Sequence, residues 1–305
     1  MKTTFIIGTR KSKLALCQSQ LVQKQLQTRF PQLEFKLQPI VTEGDRNLHD
    51  SLQKIGGKGV FVKEIEHELL SAKIDFAVHS LKDVPPVLPQ GLTIGAVPKR
   101  ASAFDCLITV APIKSLADLP QNARIGTNSL RREGQLLHAR PDLVIVPIRG
   151  NVDTRLAKIA SENLAGIVLA EAGLDRLAVD IAPYYRYSLQ DDILPATGQG
   201  ALAIECRQAD TDTLGLLAAI HDAQTASCVQ IERAFLKALG GSCNFPIGAY
   251  ATQNALGYEF KGLVAAQDGT AWYPIENRGP LTAKLGKTAA DTLIAQGALA
   301  ALAVD

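Results

Sequence analysis

The run IDFAVHS at residues 74–80 restricts the fold most, because the sequence LKDVPP follows it directly. Its apolar residues predict a short buried strand, and the two prolines prevent a helix from continuing that strand. We therefore expect Lys82 and Asp83 to lie in a loop at the carboxyl edge of the strand. Ligands of open α/β sheets bind at this edge, so the sequence indicates an active-site turn here.

Strand and helix patterns alternate along most of the chain. One α/β series runs from residue 3 to about 98, and a second of similar size follows it. The tail has a helical pattern, three strand patterns and a last helix, which predicts a small α+β domain. With 305 residues, 47% of them hydrophobic, the chain can bury two or three cores.

Charge and cysteine content exclude several classes of protein. The 32 basic and 30 acidic side chains nearly cancel, which gives no support for nucleic-acid or membrane binding. Five cysteines without a CxxC spacing argue against a disulfide framework and a zinc site. No apolar run is long enough for a signal peptide or a membrane span. We expect a cytoplasmic protein without a metal.

Arginines recur where a strand runs into the start of a helix. A helix N-terminus already carries a positive dipole, so a cation there is unfavourable unless an anion binds. Surface arginines that pair with Glu133 and Asp153 are the alternative, but three such corners favour a polyanion site. The residues of these corners are Arg10, Ser12, Thr127, Ser129, Arg131, Arg132, Arg149, Asn151 and Arg155, to which Lys54, Lys58, Lys82 and Arg176 can add charge.

Two further side chains are candidates for chemistry. Asp83 in this basic setting should stay ionised and could stabilise a cationic intermediate, although a carboxylate that only caps a loop or neutralises Lys82 is the alternative. Cys243 lies in GGSCNFPIG, where glycines and a proline predict an exposed turn and an accessible thiol. The other cysteines fall in helix or strand patterns typical of buried positions. His79 is expected to be a structural residue.

Seven motifs in order resemble those of the hydroxymethylbilane synthase family, also called porphobilinogen deaminases. They span most of residues 5 to 250 and read GTRKSKLAL, GGKGVFVKEIE, VHSLKDVP, GTNSLRRE, RGNVDTRL, LPATGQGALAIEC and GGSCNFPIG. The resemblance implies two α/β domains similar to the halves of a type II periplasmic binding protein, and a small α+β domain. The implied domains are 1–98 with 200–218, 104–192, and 221–305, with crossings near 99–104 and 191–200.

The resemblance also implies a transferase of tetrapyrrole biosynthesis, the pathway to heme and other porphyrins. Four porphobilinogen molecules would be condensed head to tail, with release of ammonia, on a dipyrromethane cofactor, one per chain, bound through a thioether to Cys243. The product, hydroxymethylbilane, would pass to the next tetrapyrrole-pathway enzyme. A monomer without metal, nucleic acid or membrane partner is implied.

Residue roles follow from the same resemblance. Asp83 would be the catalytic carboxylate, and Lys54 and Lys58 would belong to a mobile loop. Cofactor contacts would come from Ser80, Lys82, Thr127, Ser129, Arg131, Arg132, Asn151, Arg155 and Gln199. Substrate contacts would come from Arg10, Ser12, Arg149 and Arg176.

The chain departs from the family pattern at two places. In KRASAFDC at residues 99–106 the family usually has a proline and an arginine before the aspartate that matches Asp105, so hinge behaviour is not carried over. Glu43 replaces a neutral or basic residue, which would weaken the attraction of that loop for carboxylates. Two alternatives stay open: a solute-binding protein that only captures a polyanion, and a cysteine-nucleophile transferase with another carboxylated substrate.

Overall fold

Two compact units make up the structure, a computed structural model that describes residues 2–42, 62–241, 245–280 and 282–302. One unit comprises Met1–Ala101 and Ala201–Ser227, and the other comprises Ser102–Gly200 and Cys228–Asp305. Four residues singled out in the sequence lie outside the described ranges: Glu43, Lys54, Lys58 and Cys243. No helix in the described ranges has both the length and the apolar character needed to cross a membrane.

Strands and helices follow one another largely as the sequence predicts. The strands are β1 (Thr4–Arg10), β2 (Glu34–Ile40), β3 (Phe76–Ser80), β4 (Leu92–Ala96), β5 (Asp105–Thr109), β6 (Arg124–Gly126), β7 (Val144–Val146), β8 (Gly166–Ala170), β9 (Tyr185–Ser188), β10 (Leu202–Arg207), β11 (Ile247–Asn254), β12 (Gly257–Ala265) and β13 (Trp272–Gly279). The helices are α1 (Lys13–Arg29), α2 (Lys63–Leu70), α3 (Leu130–Ala139), α4 (Val152–Ser161), α5 (Glu171–Leu177), α6 (Thr211–Ala218), α7 (Ala223–Ala238) and α8 (Thr282–Ala295). Single 3₁₀ segments lie at Leu81–Asp83, Leu116–Asp118 and Ala298–Leu302.

The first unit is built on a five-stranded sheet in the order β2-β1-β3-β10-β4. Strand β1 is parallel to β2 and β3, whereas β10 runs antiparallel to β3 and β4. Alternate residues of β3 face opposite sides of the sheet. Phe76 and Val78 pack in the core cluster that contains Val22 of α1, and Ala77 packs with Ile65 of α2. Both faces of the strand that leads to Asp83 are therefore buried.

A second five-stranded sheet, in the order β7-β6-β8-β5-β9, organises residues 102–200. Strands β6, β7 and β8 are parallel, and β5 is antiparallel to β8 and β9. Since Asp105 at the start of β5 pairs with Ala170 at the end of β8, Asp105 lies at the edge where the parallel strands end. Candidate ligand-binding residues follow these strands at the same edge.

The C-terminal part of the second unit is an antiparallel sheet, β11-β12-β13, covered by helices. Its core includes Phe235 of α7 and Phe260 of β12, whose ring centroids lie 5.1 Å apart in an edge-to-face arrangement. The short turn after β12 packs against α3, where a Cβ on Gly134 would meet the Ala266 carbonyl oxygen at 2.4 Å. The helix that carries Arg131 is therefore backed by this turn.

The predicted fold class, two α/β modules and a small α+β part, is confirmed by these sheets. The finer division into domains 1–98 with 200–218, 104–192 and 221–305 stays a prediction. One local expectation needs correction: Lys82 and Asp83 do not lie in an open loop, since residues Leu81–Asp83 form a 3₁₀ turn immediately after β3. Strand β9 and helix α6 have no counterpart in the elements that the sequence predicts.

Candidate functional site

The 3₁₀ turn after β3 presents Asp83 to solvent. Asp83 is exposed and Lys82 is half-buried, whereas Leu81 and Val84 on either side are 2% and 4% exposed. The Val84 N–H donates to the Leu81 carbonyl at 3.1 Å, and the Leu81 N–H donates to the Ala201 carbonyl at 3.0 Å. Two buried apolar side chains and two backbone hydrogen bonds thus hold the turn with the carboxylate outward.

Ser80 is fixed by a helix on one face of the sheet. The Gln18 amide Nε2 of α1 donates to Ser80 Oγ at 2.9 Å, and Gln18 is 3% exposed. Ser12 caps the same helix, because its Oγ accepts from the Ala15 N–H at 3.3 Å. Arg10 ends β1, which is parallel to β3, so Arg10 and Ser80 lie at the same edge of the sheet. The structure therefore places three predicted site residues, Arg10, Ser12 and Ser80, at or next to one edge of this sheet.

His79 and Glu205 form a buried pair on the other face of β3. His79 Nε2 lies 3.0 Å from Glu205 Oε2, and the two side chains are 4% and 1% exposed. Glu66 of α2 lies near this pair. Burial, and then the nearby charge of Glu205, raises the pKa of Glu66 to about 7. The structural role expected for His79 is confirmed.

In the second unit, Asp105 binds two arginines of α3. Its Oδ2 accepts from Arg131 Nη2 at 2.8 Å and its Oδ1 accepts from Arg132 Nη2 at 2.7 Å. Gln199 Nε2 also donates to Oδ1, at 2.9 Å. All four side chains are buried. The alternative that Arg131 and Arg132 are surface residues paired with Glu133 is wrong for these two positions.

These contacts leave positive charge inside the protein. Two guanidinium groups share the carboxylate of Asp105, while Arg131 Nη1 and Arg132 Nη1 donate to neutral groups, the carbonyls of Leu194 and Val168. Burial lowers the pKa of Arg131, although the carboxylate opposes this effect. Arg132 Nε is buried without a hydrogen-bond partner in the described part of the chain. An additional carboxylate would be stabilised near such a pair.

Hydroxyl and amide side chains lie at two helix N-termini of the same unit. Ser129 precedes α3 and Asn151 precedes α4, and neither side chain makes a hydrogen bond to its own helix start. The Ser129 N–H donates to Thr127 Oγ1 at 3.2 Å, while Arg155 Nε donates to the Gly150 carbonyl at 2.8 Å. The uncapped helix starts favour an anion.

The segment from residue 193 to 200 is held by side chains from several elements. Arg176 Nη2 donates to the Gly200 carbonyl at 2.7 Å, and Gln199 Nε2 donates to the Ala103 carbonyl at 2.8 Å. Gln135 Oε1 accepts from the Leu194 N–H at 2.6 Å, and Glu232 Oε2 accepts from the Gly198 N–H at 2.6 Å. This network positions Gln199 beside Asp105.

Several residues of the site are not identified by sequence reasoning. Asp105 enters there only as part of a family pattern, and Gln18, Gln135, Glu205 and Glu232 do not enter at all. Asp105 and Glu205 each carry a visible signal, because each is the only acid in a largely apolar strand. A lone buried acid requires a partner, so both positions could be found in this way.

The buried cysteines are poor nucleophiles. Burial raises the pKa of Cys106 to about 12 and that of Cys206 to about 11, so their thiols stay protonated at neutral pH. Among the described residues, no group of three or more His, Cys, Asp or Glu side chains is arranged to hold a metal ion. The donors present are arginines, hydroxyls, amides and helix starts, which fit a polycarboxylate better than a metal.

The fold and these residues define an α/β protein with an exposed carboxylate next to a lysine in one unit and buried arginines in the other, a set of groups whose chemistry suits anionic ligands. A family model described as "Porphobilinogen deaminase, dipyromethane cofactor binding domain" matches residues 5–215. A second, "Porphobilinogen deaminase, C-terminal domain", matches residues 226–295. The chain belongs to the porphobilinogen deaminase family.

Curated relatives are similar over nearly the full length. The porphobilinogen deaminase of Limosilactobacillus reuteri (strain DSM 20016) is 54% identical over 301 residues, which cover 97% of each chain. That of Listeria innocua is 48% identical over 307 residues, which cover 98% of this chain and 97% of the relative.

Some solved structures are similar in architecture at low sequence identity. The periplasmic VFT2 domain of Bordetella pertussis BvgS is 14% identical, with a TM-score of 0.43, over 72% of this chain and 86% of that one. A periplasmic solute binding protein from Desulfovibrio salexigens is 11% identical, with a TM-score of 0.43, over 72% of this chain and 73% of that one.

Proposed function

We propose that this chain is a transferase that condenses four porphobilinogen molecules head to tail, with release of ammonia, to give hydroxymethylbilane. The observation that carries the proposal is the similarity to porphobilinogen deaminases, which reaches 54% identity over 97% of the chain. The site supports the same conclusion, because each pyrrole of the growing chain carries an acetate and a propionate group. The buried arginines and uncapped helix starts suit such a ligand.

Asp83 is the proposed catalytic residue. Loss of ammonia from an aminomethylpyrrole leaves an electron-poor, positively charged carbon skeleton, which a nearby carboxylate stabilises. The same carboxylate can accept a proton from the pyrrole that is extended. Its exposure on a rigid turn supports this role, since it is positioned by the backbone and accessible to each incoming substrate.

The proposed cofactor is dipyrromethane, one per chain, bound through a thioether to Cys243. When bound, it supplies the terminal pyrrole to which the first substrate unit is added. The residues proposed to hold its carboxylates are Ser80, Lys82, Thr127, Ser129, Arg131, Arg132, Asn151, Arg155 and Gln199. Asp105 would keep Arg131 and Arg132 in place while leaving a net positive charge for the ligand.

Incoming porphobilinogen would be bound by Arg10, Ser12, Arg149 and Arg176, and Lys54 and Lys58 would belong to a mobile loop. We extend the proposal to a cytoplasmic monomer that uses no metal, binds neither nucleic acid nor membrane, and passes its product to the next tetrapyrrole-pathway enzyme. The near balance of 32 basic and 30 acidic side chains supports the absence of a nucleic-acid or membrane partner.

Two measurements test the proposal together. The denatured mass of the wild type beside Cys243→Ser should show an excess of two linked pyrroles in the wild type alone. Purified wild type should also release ammonia from porphobilinogen with repeated turnover. Stable binding of porphobilinogen without ammonia release, even after incubation to load the cofactor, would instead indicate a solute-binding protein.

A further inference from the structure

The orientation of Asp83 depends on the backbone of its turn. Within the described part of the chain, no hydrogen bond or ion pair holds the Asp83 carboxylate. A catalytic group must be held close to its productive position, because small displacements lower the rate strongly. The contacts that fix the turn itself are therefore part of the catalytic apparatus.

Two chain segments hold this turn, and the His79–Glu205 pair links the two strands, β3 and β10, that continue from them. The turn begins two residues after His79, at Leu81, directly after the last residue of β3. Its first N–H bonds to the carbonyl of Ala201, and Ala201 leads directly into β10, which carries Glu205. In the register of β3 and β10, His79 is opposite Ala203 and Glu205 is opposite Ala77, so the two side chains meet diagonally on the α2 face.

Stability alone does not explain a buried polar pair at this place. Glu205 Oε1 is buried and has no hydrogen-bond partner among the described residues. Glu66 of α2 adds a second acid on the same face, and the nearby side chains of His79 and Lys63 oppose the rise of its pKa. An apolar pair of similar size would usually stabilise a strand end at least as well as such a cluster. A directional hydrogen bond does what apolar contacts cannot, because it fixes the relative position of two strands.

We infer that His79 and Glu205 are positioning residues for catalysis: their hydrogen bond ties the C-terminal end of β3 to β10 and so sets the orientation of the Leu81–Asp83 turn. The inference rests on the proposed function. It assigns to the pair an effect on the rate of turnover rather than on substrate binding, since neither side chain reaches the exposed surface.

Two substitutions at His79 differ in whether they keep the hydrogen bond to Glu205. The amide nitrogen of Gln reaches the place of imidazole Nε2, so His79→Gln keeps the hydrogen bond to Glu205. The amide of Asn ends nearer the place of Nδ1, so His79→Asn loses that bond while it stays polar and neutral. We expect His79→Gln to keep kcat within threefold of the wild type and His79→Asn to lower it at least tenfold, with KM within threefold in both. Denatured mass would confirm equal cofactor content.

A control for general destabilisation lies at the other end of the same strand. Asp75 precedes β3, is 2% exposed, accepts from the Ile6 N–H at 2.8 Å and contacts Arg207 of β10. Asp75→Asn should lower Tm and leave kcat within threefold of the wild type.

Equal kcat values in the two His79 variants would overturn the inference, as would a loss of kcat in Asp75→Asn equal to that in His79→Asn. If His79→Asn does not fold, Glu205→Met decides, because it keeps the length of the side chain and removes the hydrogen-bond acceptor: a fivefold or greater loss of kcat supports the pair, and a smaller loss overturns it. A wild type that releases no ammonia from porphobilinogen would overturn the proposed function itself, and this inference with it.

Discussion

Asp105 Oδ2 accepts a hydrogen bond from Arg131 Nη2 at 2.8 Å inside the second unit, where both side chains are almost fully buried. The other oxygen of the same carboxylate binds Arg132. One acid therefore neutralises half of the charge of two guanidinium groups, and its loss would remove the counter-ion that they share.

We expect Asp105→Asn to lower the free energy of unfolding by about 3–5 kcal/mol, because breaking a buried ion pair leaves an uncompensated charge. Urea denaturation measures this change. The matched control is Asp291→Asn, which breaks an ion pair to Lys287 of the same length, 2.7 Å, but with both side chains more than half exposed. The loss of unfolding free energy in Asp291→Asn should be far smaller. Equal losses in the two variants would show that Asp105 does not stabilise the fold as a buried counter-ion.

Asp83→Asn should leave folding intact and reduce kcat about 10²- to 10⁴-fold, because the residue is exposed and its role is to stabilise developing charge and transfer protons. Steady-state kinetics with porphobilinogen and a thermal melt separate the two effects. Asp191→Asn removes another exposed carboxylate and should change neither kcat nor Tm. Wild-type turnover in Asp83→Asn would remove Asp83 from the mechanism.

Short-range sequence signals explain why the turn at Asp83 was predictable. An apolar run followed by prolines is visible within about ten residues of sequence, and so are arginines in the first turn of a helix. The structure confirms the strand and the helix starts. It corrects only the loop, since the chain forms a 3₁₀ turn before Pro85.

Long-range contacts explain what the sequence could not provide. Asp105 lies 26 positions from Arg131 and 94 from Gln199, and Gln18 lies 62 positions from Ser80. No periodicity or spacing rule connects residues so far apart. The sequence predicts an anion beside the arginines at the start of α3, and the structure places there the carboxylate of Asp105 from a preceding strand, which only the fold determines. A bound anionic ligand at these arginines stays a prediction.

Two glycines, one in α3 and one in α6, give predictions of opposite sign for protein stability. A Cβ at Gly134 would lie 2.4 Å from the Ala266 carbonyl oxygen, so Gly134→Ala should destabilise the protein by about 1–3 kcal/mol. A Cβ at Gly215 of α6 would meet no atom within 4 Å, so Gly215→Ala should stabilise it by about 0.4–1 kcal/mol. Denaturation midpoints measure both. A neutral Gly134→Ala would mean that α3 can move away from the turn at Ala266.

Glu66 gives a prediction about pH. Its pKa is raised to about 7 in the folded protein from 4.5, so the folded state binds its proton more tightly than the unfolded chain does. The contribution of Glu66 to stability is therefore present at acid pH and is lost as the pH rises from about 4.5 through 7. Glu66→Gln should gain stability relative to the wild type between pH 5 and 8, on the order of 1 kcal/mol after allowance for solvent screening.

Urea midpoints of the two proteins at pH 5 and pH 8 measure this difference. Glu34→Gln is a control that should differ from the wild type by a constant amount between pH 5 and pH 8, because hydrogen bonds from Lys36 and Thr4 lower the pKa of Glu34 and its contribution is lost only at more acid pH. A constant difference between wild type and Glu66→Gln across this range would show that Glu66 is ionised in the folded protein throughout. The negative charge next to His79 and Glu205 at neutral pH would then be greater, by about half a unit, than the raised pKa implies.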